Sequence, residues 1–194
     1  MGAELRVFDV CRHGTHALGP GCRYVVWVQG CRRRCPGCLT PESRPLDGGT
    51  TLAAADLAAD IVLSPHIDGI TISGGEPFLQ APALAEMLVA VRSRRPGLTV
   101  IVYTGFRHEE LMARPDARAL LELTDVLIDG EYVEALNDGR GIRGSSNQRV
   151  ICLSPRLRPF ADAMVSAPRR QEIVAADSET AIKIGIPNTL PNYE

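Results

Sequence analysis

Apolar, β-rich runs alternate along this chain with stretches whose apolar residues recur at helical spacing, which predicts parallel strands joined by crossover helices. Tyr24 to Gln29 reads as the first strand. After an Asp47-Gly48-Gly49 turn, Thr50 or Thr51 is placed to cap a helix from Leu52 to about Leu63, with Leu52, Ala55, Ala59 and Val62 on its apolar face. Gly69 to Ser73 is the second strand. Pro82 suits a helix start, and Leu84, Met87, Leu88 and Val91 carry that helix to Pro96-Gly97. Leu98 to Tyr103 reads as strand three. A helical stretch over Glu109 to Ala113 and Ala117 to Leu123, interrupted at Pro115, leads to strand four at Asp125 to Asp129, and Gln148 to Leu153 is strand five. Strands this continuously apolar suit a sheet covered on both faces. The economical architecture is α/β, a single domain folded as a partial (β/α) barrel, with residues 1–153 as its core and 154–194 as a C-terminal extension. In that extension Glu172 to Ala176 and Ala181 to Ile186 flank Asp177-Ser178-Glu179-Thr180, a hairpin signal.

Composition narrows the class. A chain of 194 residues, 45% hydrophobic and carrying a net charge of −2, has the makeup of an ordinary globular domain, with no basic face for nucleic acid. No apolar stretch is long enough to span a membrane, and Met1-Gly2-Ala3-Glu4-Leu5-Arg6 lacks the apolar region of a signal peptide, so the expected location is cytoplasmic. Cytosolic thiols stay reduced, so six cysteines argue for metal rather than disulfides. Cys22 and Cys152 sit in or beside strand patterns and read as small buried hydrophobes. Cys11 is either a loop residue or a ligand in company with His13 or His16.

The other three are clustered. Gly30-Cys31-Arg32-Arg33-Arg34-Cys35-Pro36-Gly37-Cys38 spaces them C-x3-C-x2-C on the loop after the first strand. A closed structural zinc site takes four protein ligands, and a simple electron-transfer cluster takes four cysteines. Three thiols therefore suggest an iron–sulfur cluster with one iron open to another ligand. A second feature ends strand two, where Gly74-Gly75-Glu76-Pro77 follows Ser73. Glycines there let backbone approach a ligand closely. Both features fall at strand C-terminal ends, where α/β folds gather their functional residues. Thr104, Gly105 and Asp129 end strands three and four and are expected at the same pocket; Asp129 either binds a cation, a ribose or a sulfonium there, or caps a helix or turn.

On these residues the chain resembles the radical S-adenosylmethionine superfamily, whose mark is the C-x3-C-x2-C loop followed by a GGEP-type turn. Within it, Gly19-Pro20-Gly21-Cys22-Arg23-Tyr24-Val25-Val26, Gln29-Gly30-Cys31, the glycine in Cys35-Pro36-Gly37-Cys38, and Arg143-Gly144-Ser145-Ser146-Asn147-Gln148-Arg149-Val150 are similar to the anaerobic ribonucleotide reductase activases. The resemblance runs from about residue 18 to 152; it departs after the third cysteine, where Leu39-Thr40-Pro41-Glu42-Ser43 replaces the family's frequent Tyr-Asn.

The resemblance implies a partial barrel of the radical S-adenosylmethionine type. It implies that Cys31, Cys35 and Cys38 hold three irons of a 4Fe-4S cluster, and that the amine and carboxylate of S-adenosylmethionine chelate the fourth. Gly74, Gly75, Glu76 and Pro77 would receive the amine, with Thr104 and Asp129 completing the cofactor site. Reductive cleavage of the sulfonium would yield a radical that removes hydrogen from a glycine of a partner glycyl-radical enzyme. No acid–base residue is needed beyond cluster and cofactor, because the hard chemistry belongs to the cofactor. Ser145, Asn147, Gln148 and Arg149 would shape the adenosine side, meet the partner's glycine loop or form a hydrogen-bonded turn. Arg32-Arg33-Arg34 is either a solvated loop or a dock for an acidic reductant such as flavodoxin. The alternative enzyme is a minimal radical S-adenosylmethionine protein modifying a peptide or small metabolite; outside enzymes, the cysteines would suit an electron carrier or a zinc-binding module.

Overall fold

The computed structural model describes residues 2–175 and 181–188. Seven strands, β1 (Glu4–Thr15), β2 (Arg23–Val28), β3 (Thr50–Ala53), β4 (Gly69–Gly74), β5 (Thr99–Thr104), β6 (Val126–Asp129) and β7 (Arg149–Cys152), form one sheet in the order β3-β1-β2-β4-β5-β6-β7. The central four, β2-β4-β5-β6, are parallel. Antiparallel strands flank them on both sides, which makes the sheet mixed. The order runs from β3 to β7 without those two end strands pairing, so the sheet is open rather than closed into a barrel. Helices α1 (Ala54–Leu63), α2 (Ala81–Arg94), α3 (His108–Met112) and α4 (Arg118–Glu122) lie in the connections between the parallel strands. A further helix, α5 (Ala161–Ser166), follows β7, and β8 (Glu172–Ala175) pairs antiparallel with β9 (Ala181–Ile184). The turn Asp177-Ser178-Glu179-Thr180 and Ala176 lie outside the described residues.

Strand alternation divides the core into two layers. Tyr24, Val26, Ile70, Ile72, Val100 and Leu127 face Leu57 and Ile61 of α1 and Leu84 and Val91 of α2. On the opposite face Val25 packs with Cys11, Leu18, Ile184 and Ile186, and Ile101 and Ile128 pack with Leu157 and Met164. Burial on both faces explains why the parallel strands read as unbroken apolar runs. Arg23, fully buried at the start of β2, spends its guanidinium inside the sheet, donating to Thr71 Oγ1 at 3.1 Å, Thr99 Oγ1 at 2.6 Å and Ile70 O at 2.6 Å. Burial lowers its pKa to about 10, which leaves it charged at neutral pH.

Four points of the sequence reading are corrected. The residues Glu4 to Thr15 form a twelve-residue strand that the pattern hid, because register shifts between Val7 and Asp9 and between Cys11 and Thr15 break the alternation. Thr50 and Thr51 do not cap α1; they pair with Val7 and Arg6 in β3, as β-branched residues favour. The helix begins at Ala54 without a side-chain cap and buries Ala54, Leu57, Ala58 and Ile61, not the predicted face; its many alanines fit more than one stripe. The last sheet strand, β7, runs antiparallel to β6, because the intervening segment holds only a 3-10 turn at Glu134–Leu136 and no crossover helix.

Candidate functional site

The loops at the C-terminal ends of β2, β4, β5 and β6 converge on one cavity, lined among others by Cys31, Cys35, Cys38, Gly74, Gly75, Thr104, Gly105, Gly130 and Gln148. Backbone hydrogen bonds position the cysteine loop. Gly30 N donates to Ser43 O at 2.8 Å and Cys31 N to Arg44 O at 2.9 Å, closing the loop, while the Gln29 side chain donates to Pro45 O at 2.7 Å. The Gly74-Gly75 turn lies directly against it: Gly75 N donates to Val28 O at 2.7 Å and Glu76 N to Gly30 O at 2.8 Å. A Cβ on Gly75 would stand 2.4 Å from Gly30 O, at the start of the cysteine loop, and one on Gly74, at φ +95°, would stand 2.6 Å from Val28 O at the end of β2, so neither position admits a side chain without moving backbone. Gly37, at φ +68°, brings its Cα against the carboxylate of Glu134, where a Cβ would stand 2.5 Å away.

Burial pushes the thiols of Cys31 and Cys35 above the usual cysteine pKa; the Arg33 amide, which donates to Cys31 Sγ at 3.4 Å, pulls the other way. Metal ligation would have to supply the drive for deprotonation. All three cysteines line the cavity; among the described residues no three His, Cys, Asp or Glu side chains are grouped to hold a single metal ion. Cys11 is buried in the apolar layer, while His13 and His16 are exposed, so ligation by that trio has no support in the geometry. Cys22 and Cys152 pack at the edges of the core.

Of the Gly-Gly-Glu-Pro turn, only part faces the cavity with free groups. Glu76 is 2% exposed; its Oε1 accepts from Phe78 N at 3.0 Å and Thr104 Oγ1 at 2.8 Å, and its Oε2 from Gly105 N at 2.8 Å. Burial raises its pKa against those donors. The side chain is a brace between β4 and β5, and Pro77 is buried at the start of a 3-10 turn, away from the cavity wall. Gly74 and Gly75 are left to present backbone.

Asp129 is corrected. Its carboxylate is fully buried and is not on the cavity wall; Arg149 Nε donates to Oδ1 at 2.9 Å, a second Arg149 nitrogen donates to Oδ2, and His108 N donates to Oδ2 at 2.7 Å. Burial opposes the charge, yet Arg149 and the His108 amide hold the carboxyl below the usual range. Asp129 thus caps the N-terminus of α3, the structural alternative for this residue.

The polar segment before β7 folds over the cavity. Gln148 Oε1 accepts from Gly144 N at 2.8 Å, its Nε2 donates to Gly130 O at 2.7 Å, and Ser145 Oγ accepts from Val133 N at 3.1 Å. Asn147 Nδ2 donates to Glu131 O at 2.8 Å. The triplet Arg32-Arg33-Arg34 is not uniform: Arg32 and Arg34 are exposed, but Arg33 turns inward, pairs with Glu131 at 2.8 Å and stacks 4.5 Å over the Phe106 ring. Sequence reasoning missed Arg33 as a wall residue, and it missed Tyr103, Tyr132 and Arg44 altogether. Arg44 stands out because it lines the cavity and its side chain has no hydrogen-bond or ion-pair partner among the described residues, with its Nε buried and unsatisfied. Its only sequence signal is position: a cation six residues beyond the third cysteine.

Comparison with known proteins places this geometry. The family described as "4Fe-4S single cluster domain" matches residues 17–151, a span that contains the three cysteines and all four parallel strands. The chain is 34% identical over 139 residues to the anaerobic ribonucleoside-triphosphate reductase-activating protein of Escherichia coli K12, covering 68% of this chain and 89% of that one. The protein of the same name from Enterobacteria phage T4 is 31% identical over 137 residues, covering 68% and 85%. A pyruvate formate-lyase-activating enzyme from Listeria monocytogenes is 32% identical over 130 residues, covering 63% and 51%.

Proposed function

The chain belongs to the 4Fe-4S single cluster domain family, and from that premise we propose that it is a radical S-adenosylmethionine activase that generates a glycyl radical on a partner enzyme of the anaerobic ribonucleotide reductase type. The observation that carries the reading is that Cys31, Cys35 and Cys38 line one cavity together with the Gly74-Gly75 backbone. Three thiols are one short of a closed structural zinc site, and in a cluster the missing fourth leaves an iron for a cofactor. Bound there, the cluster and S-adenosylmethionine would supply the electron and the 5′-deoxyadenosyl radical that removes a hydrogen atom from glycine.

The protein's own residues would bind, orient and shield. Cys31, Cys35 and Cys38 would be the cluster ligands. The Gly74 and Gly75 backbone would meet the cofactor's ammonium group, with the Glu76 and Thr104 brace fixing that backbone in place. Arg44, a cation without a protein partner, would pair with the cofactor's carboxylate. Gln148, tied to Gly130 and Gly144, would close the opposite side. The sheet is the open, partial form of a (β/α) barrel, with residues 1–153 as the working core and 154–194 as an appended segment. Flavodoxin is the proposed reductant and the cytoplasm the proposed location; no described helix is long and apolar enough to cross a membrane.

The test is to reconstitute the protein anaerobically, reduce it, add S-adenosylmethionine and the partner reductase, and record electron paramagnetic resonance. A glycine-centred doublet on the partner is expected. Cleavage of S-adenosylmethionine with no radical on any glycyl-radical enzyme of the source organism would replace this reading with the peptide- or metabolite-modifying one.

A further inference from the structure

The cysteine cavity does not end at its own wall. Leu39, Thr40, Ser73 and Ile186 line it and also line a neighbouring groove whose wall includes Phe8 and Trp27. Phe8 and Leu39, which both line this groove, are 38% and 37% exposed, large apolar side chains left open to solvent, whereas Leu18, Ile184 and Ile186 of the same lining are buried. The far wall is Lys183 to Pro187, which is β9 and its continuation. That wall lies beyond residue 151, where the family match ends.

This wall is fixed to the body of the protein. Ile184 and Ile186 are buried against Cys11, Leu18 and Val25. Gln171 Nε2 donates to Ile186 O at 3.0 Å, and Arg169 Nη1 to Pro187 O at 2.8 Å. The C-terminal segment therefore forms a standing side of the groove.

We propose that this groove is the docking surface for the partner's glycine-bearing loop, taken as an extended segment with apolar side chains beside the glycine, and that the C-terminal segment confers selectivity for it. The inference rests on the activase reading. A hydrogen on a backbone Cα of a larger protein reaches the cysteine cavity only if a strand of that protein passes through an opening, and the groove, mostly apolar with Asp9 and Lys183 as its charged residues, shares part of its wall with the cavity. Its outer face carries Phe8 and Lys183, positions free to select side chains flanking the glycine without touching the cysteine loop. Recognition of a short extended segment in this way needs apolar pockets for its side chains more than a large buried area.

Trp27, the sole tryptophan of the chain, lies in the groove and reports on it. The experiment uses the reconstituted holoprotein under nitrogen and a fluorescein-labelled synthetic peptide with the glycine-loop sequence of the partner reductase. Peptide binding is followed by anisotropy, and Trp27 emission is followed with the unlabelled peptide. The Phe8→Asp variant should weaken the peptide by roughly tenfold or more, as replacing a large apolar contact with a charge does. Partner-independent cleavage of S-adenosylmethionine should be unchanged, and Trp27 emission should shift as the wild-type protein saturates. Equal peptide affinity in Phe8→Asp together with an unmoved Trp27 signal would overturn the docking site while leaving the activase reading intact. Failure to form any glycyl radical on the full partner would remove the activase reading itself.

Discussion

The carboxylate of Glu76 and the hydroxyl of Thr104 are 2.8 Å apart and tie the end of β4 to the end of β5. Two backbone amides, Phe78 and Gly105, complete the set of donors on the same carboxylate. An acid in a glycine-rich turn next to a candidate cofactor site thus works by holding two strand ends in register. Replacing it with alanine strands three donors, two of them buried, and leaving even one buried donor unsatisfied costs about 1–3 kcal/mol. Glu76→Ala is expected to lower stability by at least that much, and Glu76→Gln, which keeps one acceptor, by less. The denaturant midpoint of each variant checks the order; a Glu76→Ala protein as stable as wild type would refute the brace.

Asp129 and Arg149 contribute to the acid response. The folded carboxyl titrates below its ordinary value of 3.8, so its contribution to stability is present above that value and is lost as pH falls through the lower, folded pKa. Stability should therefore fall on acidification below about pH 4. Asp129→Asn should flatten that part of the profile. The same variant should leave S-adenosylmethionine affinity unchanged, because Asp129 does not reach the cavity. A large loss of cofactor affinity would return Asp129 to the site.

Much of the site was legible because its motifs are local. The C-x3-C-x2-C spacing and the Gly-Gly-Glu-Pro turn each lie within a few residues of sequence, and the strands before them are plain apolar runs. Asp129 was not legible in the same way: a carboxylate at a strand end points to a pocket or to a cap depending on Arg149, twenty residues away, and on where α3 begins. Arg44 and Arg33 were hidden for a related reason, since the curl of the cysteine loop decides which arginine turns inward. The first strand was masked by its own bulges, and β3 by two threonines that serve a cap or a strand equally well.

Six free cysteines divide into two groups by environment. Alanine at Cys31, Cys35 or Cys38 should remove the iron–sulfur absorbance, or sharply reduce it, and abolish reductive cleavage of S-adenosylmethionine. Cys22→Ala and Cys152→Ala should retain both at a cost in stability of about 1 kcal/mol for the lost packing. Iron content and 5′-deoxyadenosine production measure the contrast. Full turnover by Cys35→Ala would sink the ligand assignment.

Gly37 separates backbone strain from crowding. Its φ of +68° disfavours any side chain, and a Cβ would also meet the flexible Glu134 carboxylate. The backbone cost, about 1 kcal/mol, should dominate, because Glu134 is exposed and free to swing away. Gly37→Ala should lose that stability, and adding Glu134→Ala should not restore it. Full recovery in the double variant would show that contact, not conformation, selects glycine here.

Arg44 offers the cleanest test of cofactor binding, because its guanidinium gives up no protein partner when it is replaced. Folding stability of Arg44→Met should stay within about 0.5 kcal/mol of wild type, as for a side chain outside any network. A charge-assisted hydrogen bond to a carboxylate is worth about 1.5–3 kcal/mol, so the dissociation constant for S-adenosylmethionine should rise by roughly tenfold or more. Arg44→Lys should recover part of the loss by restoring the charge without the planar fork. Equilibrium binding to the reconstituted protein measures this without turnover. Unchanged affinity in Arg44→Met would mean that the cofactor's carboxylate finds its partner elsewhere on the wall, and Arg33, already committed to Glu131, would be the next cation to replace.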